Sequence, residues 1–378
     1  MKSTHNLGEF LELINERNSD LKYGIDDIKG VNNTKELMET KARSEYADLS
    51  KFYIVKPGEF VYNPRTSRNG EKVGLAYNDT IKNLLFTFNN IAFRIKDTEK
   101  NNLYAEYLYL FFKNPEFDRY ARFNSWGSAT ELFNWEDMCN TPIILPDYPE
   151  QKKIVNQYKT VLSRIDILKR TTDYWEKQLS ILYHKFFDDT SSFSDGTIAD
   201  FGKIVSGATP STEKEEYYCK EGIAWITPKD ITSTNLKFIY KGETDITKEA
   251  YKSCSTRMLP KGTVLLTSRA PVGALGIAMN DICTNQGFKS VIPDNGFTTE
   301  YIYFFLKENK ELLESNSSGT TFLEISGKTM GNIAIKIPQQ EKIDDFSKIC
   351  RPVFEKQIRY EKEISLLERL REMIIASI

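Results

Sequence analysis

The sequence predicts an α+β protein in which a globular unit followed by a long helix occurs twice. Two long stretches of helical apolar period, short strand-like runs between them, and landmarks that recur in the same order support this prediction. The two helices are predicted to pair as an antiparallel coiled coil. Such pairing would give a pseudo-two-fold dumbbell with one globular unit at each end.

Composition limits the classes of protein to which the chain can belong. Its 378 residues allow two or three domains, and 40% of them are hydrophobic. With two His and five scattered Cys, His-based metal sites and triads are excluded and reduced thiols are expected. No apolar run reaches the roughly 18 residues of a membrane span, so no membrane contact is expected, and the scattered cysteines favour a cytoplasmic protein. The net charge of −2 means that any nucleic-acid binding must rest on local patches.

The first globular unit is predicted at residues 1–149. Phe52-Tyr53-Ile54-Val55 and Phe60-Val61-Tyr62 are strand-like runs that end at Pro- or Gly-containing turns. Residues 92–95 alternate between apolar and polar, as a half-buried strand does. Residues 104–112 are an aromatic-rich helix candidate, and residues 142–146 form a short strand before the long helix.

A central long helix is predicted at residues 150–187, because apolar residues follow a four-three spacing without Gly or Pro. The residues predicted to pair in this helix are Ile154, Tyr158, Val161, Ile165, Leu168, Trp175, Leu179 and Leu182.

The second globular unit is predicted at residues 188–339, where the landmarks of the first unit return. In order, residues 56–61 match 260–265, 72–76 match 274–278, 106–112 match 300–306, 125–130 match 317–322, and 150–154 match 339–343. Five matches in one order indicate a tandem duplication.

A C-terminal long helix is predicted at residues 340–378. Its predicted pairing residues are Phe346, Val353, Tyr360, Ile364, Leu367 and Ile374. Pro352 lies inside this stretch and is predicted to kink or break the helix just before Arg351. Two similar units held apart by paired helices suit a partner with two sites at a fixed spacing, such as duplex DNA.

The duplicated landmarks resemble the specificity subunit of type I restriction–modification systems over essentially the whole chain. The motifs that carry the resemblance are Leu7-Gly8-Glu9, residues 54–64, Pro146 with residues 149–154, residues 206–211, residues 225–231, residues 318–322 and residues 337–343. The first unit departs from the pattern, because Glu16-Arg17-Asn18-Ser19 stands where a Gly-x-Thr-Pro element would fall.

The resemblance implies that each globular unit is a target recognition domain reading one half of a bipartite DNA sequence. It also implies that the helices set the spacer and dock two methyltransferase subunits, with restriction or translocase subunits joining in a full restriction system. S-adenosylmethionine, ATP and Mg would be bound by those partners, and no cofactor or metal by this chain.

The sequence itself favours a non-catalytic role. It contains no GxxxxGK[ST] phosphate loop and no Asn-Pro-Pro-Tyr-type element for a flipped base. Pro146-Asp147 followed by Glu150-Gln151-Lys152 has a nuclease-like composition, but Glu150 is better explained as an acid that favours the helix dipole. Two alternatives stay open: a scaffold that binds two protein copies, and a fused enzyme of which only the specificity half is present.

Candidate DNA contacts come from polar loops. Arg65, Arg68 and Lys72 cluster in one loop, and Arg269 takes the equivalent place in the second unit. Arginine binds guanine edges or phosphates, whereas the alternative is a solvated turn.

Further candidates carry weaker signals. The resemblance puts Lys41, Arg43 and Lys229 near the recognition loops, although a solvated face explains them too. The hydroxyls of Ser128, Thr130, Thr320 and Thr321 lie in Gly-containing loops and could donate to phosphates. The central helix has eight Lys and Arg against four acids, so it faces spacer phosphates, an acidic partner or simply solvent.

Overall fold

The chain divides into two compact units. A computed structural model describes residues 3–40, 48–66, 72–127, 131–234, 236–319 and 323–378. Unit 1 comprises Met1–Asp166 and Leu366–Ile378, and unit 2 comprises Ile167–Ser365. Both limits fall inside long helices, so the domain boundaries drawn from the sequence stay predictions. Among the described helices, none has the length and apolar character to cross a membrane.

Within its described residues, the first half of the chain carries short strands, three short α-helices and one long α-helix. The strands are β1 Ser3–Asn6, β2 Leu11–Leu13, β3 Lys29–Val31, β4 Leu37–Glu39, β5 Tyr53–Val55, β6 Phe60–Asn63, β7 Gly74–Tyr77, β8 Leu84–Phe86, β9 Ile91–Ile95 and β10 Pro142–Leu145. The helices are α1 Ala105–Lys113, α2 Pro115–Phe123, α3 Trp135–Cys139 and α4 Tyr148–Phe187.

The second half repeats this order with added elements. Its strands are β11 Ser194–Thr197, β12 Gly202–Ser206, β13 Tyr218–Cys219, β14 Ile223–Ile226, β15 Phe238–Ile239, β16 Asp245–Ile246, β17 Val264–Ser268, β18 Val272–Ala278, β19 Cys283–Thr284, β20 Lys289–Pro293 and β21 Ala334–Ile337. Its helices are α5 Pro228–Thr234, α6 Lys248–Ser253, α7 Thr299–Glu308, α8 Lys310–Ser315, α9 Gly327–Gly331 and α10 Gln340–Ala376.

The main sheets of the two units share one strand order. Unit 1 has the order β2-β9-β6-β7, and unit 2 has β12-β20-β17-β18 with β15 added at the edge. Phe60 stands opposite Phe93 in the first sheet, as Val264 stands opposite Val291 in the second. A further antiparallel pair links β1 with β10 and β11 with β21. The predicted α+β duplication is confirmed.

Aromatic side chains fill the core between each sheet and its helices. In unit 1, Phe60 and Phe93 stack at 5.2 Å, and Phe112 of α1 meets both rings edge-on. In unit 2, Phe201 packs against Tyr301 and Phe305 of α7. Burial of these apolar rings is the main force that holds each helix layer on its sheet.

Each long helix has a glutamine in its first turn that ties the helix to its unit. The side chain of Gln151 accepts a bond from the backbone N–H of Tyr104 at 2.8 Å and donates to the carbonyl of Asn102 at 2.8 Å. The side chain of Gln340 donates to the carbonyl of Gly296 at 2.8 Å, just before α7. The glutamine that recurs in the first turn of each long helix therefore has a structural reason.

The apolar stripe of α4 follows the predicted spacing in its middle and departs from it at both ends. Tyr158, Val161, Ile165, Leu168 and Leu179 are buried, and Trp175 is half-buried. At the ends, Val155, Tyr183 and Phe187 are buried, whereas Ile154, Leu182 and Phe186 are only partly buried. The shift is expected because a straight helix repeats every 3.6 residues and drifts away from a strict 3.5-residue pattern.

Within unit 2, the end of α4 and the start of α10 run antiparallel. Trp175 stacks on Tyr360 with ring centres 5.2 Å apart. Phe187, at the last residue of α4, contacts Phe346, near the start of α10, with ring centres 5.3 Å apart. Phe346 and Ile364 are buried in this unit, and Val353 is partly buried beside Phe354. Within unit 1, Tyr158 and Ile374 pack into one core, and Leu367 is half-buried. The predicted antiparallel pairing is confirmed.

Of the prediction that Pro352 kinks or breaks the second helix, the break was wrong. Helix α10 continues from Gln340 to Ala376 with Pro352 inside it. Proline removes the N–H that would bond the carbonyl of Lys348, but both residues are exposed, so water can satisfy that carbonyl.

A buried ionic cluster joins four elements of unit 2. The carboxylate of Glu176 on α4 lies 2.8 Å from the ammonium groups of both Lys237 and Lys307. Gln357 of α10 accepts from Lys237 at 3.2 Å and donates to Glu176 at 3.2 Å. Burial alone would raise the pKa of Glu176, but the two lysines hold it well below its ordinary value. Burial lowers the pKa of Lys237, which is almost fully enclosed.

Glu361 lies beside this cluster, and its pKa is shifted in the opposite direction from that of Glu176. Its carboxylate accepts the backbone N–H groups of Lys237 at 3.1 Å and Phe238 at 3.4 Å. Burial nevertheless raises the pKa of Glu361 from 4.5 to about 7. The folded protein therefore favours the protonated form of this side chain.

We predict that Glu361 makes stability fall as the pH rises. A raised folded-state pKa gives stabilisation that is complete below pH 4.5 and lost as the pH passes about 7. Glu361→Gln removes this titration, so the variant should gain on the order of 2 kcal/mol relative to the wild type between about pH 5 and about pH 8. Urea unfolding at the two pH values measures the difference. Glu355→Gln, at an exposed position on the same helix, is the control, and an equal difference at both pH values for Glu361→Gln would contradict the prediction.

Candidate nucleic-acid interface

Several predicted contact residues lie outside the described part of the chain. They are Lys41, Arg43, Arg68, Ser128, Thr130, Thr320 and Thr321. Their roles stay predictions. The structure describes Arg65, Lys72, Lys229 and Arg269, and it brings the two arginines to matching places in the two units.

Arg65 and Arg269 each follow a central strand of a main sheet. Arg65 comes two residues after the end of β6 and forms a β-bridge with Leu132. Arg269 directly follows β17 and forms a β-bridge with Glu324. Next to each bridge, a backbone N–H donates to the carbonyl of the residue before the arginine. Phe133 donates to Pro64 at 2.8 Å, and Ile325 donates to Ser268 at 3.1 Å.

A Gly-containing loop is closed beside each arginine by the same pair of bridges. Leu132 also bridges Trp126, and Glu324 also bridges Ser318. Gly127 and Gly319 follow with φ of +149° and +127°, a region that favours glycine. The two loops and their arginines form what we call the arginine edge of each unit: Arg65 with residues 126–132, and Arg269 with residues 318–324. The described part of each edge comprises its arginine and both ends of the loop.

The two edges differ in the side chains around the arginine. In unit 1, Trp126 is 71% exposed and the preceding Phe123 is 78% exposed, so two large aromatic side chains are exposed at and just before the loop. Arg122 pairs with Glu131, whose carbonyl accepts the backbone N–H of Thr66 at 3.1 Å. Trp126 lies in a recurring polar loop of the sequence, so an exposed aromatic side chain could have been predicted at this position.

In unit 2, two cations share one acid. The guanidinium of Arg269 lies 3.5 Å from the carboxylate of Glu324, and the ammonium of Lys289 lies 3.8 Å from it. Lys289 is 8% exposed, and burial lowers its pKa. Its ammonium group also lies 3.4 Å from the hydroxyl of Ser268. Sequence reasoning missed Lys289, because only the strand pairing brings it beside Arg269.

The loop of residues 206–211 packs against the turn of residues 284–287. Ala208 donates its N–H to the carbonyl of Thr284 at 3.0 Å, and the Thr209 hydroxyl bonds the side chain of Gln286. The indole of Trp225 donates to the carbonyl of Ala208 at 3.1 Å. A Cβ at Gly207 would meet the carbonyl oxygen of Thr284 at 2.0 Å. Three segments far apart in the sequence therefore meet here, and Gln286, at their junction, was missed.

Lys229 and Lys72 lie in different settings. Lys229 opens α5, and its ammonium group lies 2.9 Å from the exposed Glu243, which agrees with a solvated ion pair. Asp230 beside it accepts the N–H and the hydroxyl of Thr227 at 2.7 and 2.6 Å, which fixes the start of α5. Lys72 is exposed at the rim of a cleft in unit 1.

Comparison with known proteins links both halves of the chain to one family. The family model described as "Type I restriction modification DNA specificity domain" matches residues 4–174 and again residues 191–365. The specificity subunit of the type I restriction enzyme MjaIX of Methanocaldococcus jannaschii is 45% identical over 147 residues, which is 38% of this chain and 34% of that protein. The EcoR124I/EcoR124II specificity subunit of Escherichia coli is 28% identical over 203 residues, 51% of this chain and 47% of that protein. Each alignment thus spans between about a third and a half of the relative's length.

A solved structure has the same fold. The S subunit of a type I restriction–modification system from M. genitalium aligns over 100% of this chain and 95% of its own, with 16% identity and a TM-score of 0.56. At this identity, the likeness supports the fold alone.

We predict that Gly207→Ala destabilises unit 2 by about 2 kcal/mol. The new methyl group would overlap the backbone carbonyls of Thr284 and Asn285, which a side-chain rotation cannot relieve. Thermal and urea unfolding measure the loss. The matched control is Gly24→Ala, where a Cβ meets nothing within 4 Å. Equal stability of Gly207→Ala and the wild type would show that the loop moves freely away from the turn.

Proposed function

Because this chain belongs to the family of type I restriction modification DNA specificity domains, we propose that it is a DNA specificity subunit of a type I restriction–modification complex. Each unit binds one half of a bipartite target on duplex DNA. The observation that carries this proposal is the arginine edge, which recurs at the same strand end and beside the same bridged loop in both units.

The chemistry of the edge suits DNA. Arginine donates in a fixed fork to a guanine edge or to phosphate oxygens. A loop with glycine at its start allows a backbone to come close to a groove. Since Trp126 and Leu132 in unit 1 correspond to Ser318 and Glu324 in unit 2, the two edges would read different bases, and the target would be asymmetric.

The chain itself performs no catalysis in this proposal. Methyl transfer to adenine with S-adenosylmethionine, and ATP- and Mg-dependent cleavage where a restriction subunit exists, take place in partner subunits. Two methyltransferase subunits dock on the long helices, and the length of these helices sets the distance between the two half-sites. The sequence supports this division, because it contains no phosphate loop and no flipped-base motif. We place the complex in the cytoplasm.

We predict that the two arginines act on separate halves of the target. The full chain is co-expressed with the methyltransferase encoded beside it, and methylated adenines are mapped in the host genome. Arg65→Ala and Arg269→Ala should each cost about 1–3 kcal/mol of target binding and relax one half-site only. Replacement of residues 1–149 by those of a relative should change one half of the motif.

Lys82→Ala, which removes an exposed charge elsewhere in unit 1, is the control for these variants. Wild-type chain that binds no duplex DNA at low salt, with or without its partner, would contradict the function. It would then favour the alternative of a two-site scaffold, for which a bound pair of protein copies is the expected finding.

We predict that the helices determine spacer length. Seven residues inserted in α4 after Asp166 and seven in α10 after Ser365 add about 10 Å to each helix. At 3.4 Å per base pair, the methylated motif should show a spacer longer by about three base pairs. The same seven residues inserted after Ile81, an exposed loop position, serve as control. An unchanged spacer in a folded double-insertion variant would rule out the helices as the ruler.

A further inference from the structure

Unit 1 contains a basic cleft of about 1030 Å³ beside the arginine edge. Its walls come from the β3–β4 turn, helix α2, the first part of α4 and the last part of α10. Among its lining residues are three acids, Glu36, Asp118 and Glu372. The basic residues that line it are Lys35, Lys72, Lys113, Arg119, Arg122 and Arg371.

Lys35 lies at the bottom of this cleft and forms an ion pair with Asp118, one of the three acids. The Lys35 side chain is 4% exposed and pairs with Asp118, and its ammonium group donates to the carbonyl of Val73 at 2.6 Å. Burial lowers the pKa of Lys35, and Asp118 opposes that shift.

With Asp118 bound to Lys35, the remaining lining side chains are five cations and two acids. Arg119 pairs with Glu116, Arg122 pairs with Glu131, and the guanidinium of Arg371 lies 3.9 Å from the carboxylate of Glu372. Among the described residues, Lys72 and Lys113 are the lining cations outside these ion pairs.

Lys113 is a half-buried cation of the cleft that forms no ion pair with the described residues. It is half-buried at the end of α1, and its ammonium group lies 4.5 Å from the centre of the Tyr109 ring. In the described ranges, no carboxylate lies within ion-pair distance of this group. Burial lowers the pKa of Lys113, the carboxylates of Glu36 and Asp79 oppose that shift from beyond ion-pair distance, and the charge of Arg371 adds to it. A desolvated ammonium group without a directly bonded counter-charge is costly, and a bound anion would reduce that cost.

Unit 2 provides an internal comparison for Lys113. The equivalent residue, at the end of α7, is Lys307, because Glu106-Tyr107 of α1 corresponds to Glu300-Tyr301 of α7. Lys307 lies 2.8 Å from the carboxylate of Glu176 and 3.0 Å from the hydroxyl of Ser180. The lysine at this position of the fold therefore has a carboxylate partner within unit 2. In unit 1 the equivalent ammonium group could bind an external anion instead.

The cleft is continuous with the arginine edge of unit 1. Arg122 and Phe123 line the cleft, and Arg122 pairs with Glu131 of the edge loop. Glu131 in turn holds Thr66, the residue after Arg65, through two bonds to its carbonyl at 3.1 and 3.3 Å. A polyanion bound at the arginine edge would therefore reach the cleft along one surface of unit 1.

We propose that this cleft binds phosphate groups of the DNA backbone next to the half-site that unit 1 reads. This inference rests on the proposed function. Lys72 and Lys113 supply point charges and Arg371 a planar donor group, which suit phosphate oxygens and carry no sequence information.

The test is binding of the full chain, alone and with its methyltransferase partner, to a duplex that carries the mapped target. Lys113→Met keeps a long unbranched side chain at this position and removes the charge, and Lys72→Gln and Arg371→Gln remove charges at the rim. Each lost phosphate contact should reduce the slope of log affinity against log salt by about 0.9. The methylated sequence motif should stay the same, because the bases are read elsewhere.

Controls separate the outcomes. Lys82→Gln removes one exposed charge of unit 1 outside the cleft and should leave the slope unchanged. If the cleft variants bind with wild-type affinity and slope while the target motif persists, the cleft proposal fails and the proposed function stands. If they lose assembly with the methyltransferase but keep duplex binding, the cleft holds an acidic protein segment and the proposal is overturned. Should Lys113→Met fail to fold, the exposed Lys72→Gln gives the deciding slope.

Discussion

The carboxylate of Glu176 is the charge on which the interior of unit 2 depends. It lies between two ammonium groups, one at the start of β15 and one at the end of α7, and Gln357 of α10 completes the contact. Loss of Glu176 would leave the buried ammonium group of Lys237 without its carboxylate, which costs far more than the net gain of the pair. The cluster therefore specifies which face of α4 and of α10 meets the sheet, a choice that apolar contacts alone leave less sharply defined.

The duplication preserved backbone positions while the chemistry of the side chains diverged. Strand order, bridge pattern and the glutamine at each helix start recur in both units. Trp126 against Ser318 and Lys113 against Lys307 show the divergence. One scaffold has thus come to present an aromatic, open surface in unit 1 and a charge-paired surface in unit 2.

The parts of this fold that sequence reasoning predicted are those with local or repeated signals. The four-three spacing revealed both long helices, and the recurrence of Arg65 at Arg269 revealed the edge. The buried ends of α4, Val155 and Phe187, escaped because a strict heptad ignores helical drift. Lys289 and Gln286 escaped for another reason, since their positions follow from strand pairing and loop docking between distant segments. Pro352 misled, because its exposure makes a missing hydrogen bond tolerable.

The bridges that close the two edge loops have a consequence for evolution. Trp126 with Leu132, and Ser318 with Glu324, are joined through backbone groups, whose bonding does not depend on the identity of the side chains. Substitutions in the loops can therefore accumulate without loss of the frame that presents them. A lineage of such proteins could change what it recognises by small steps, each of which leaves a folded chain for selection to act on.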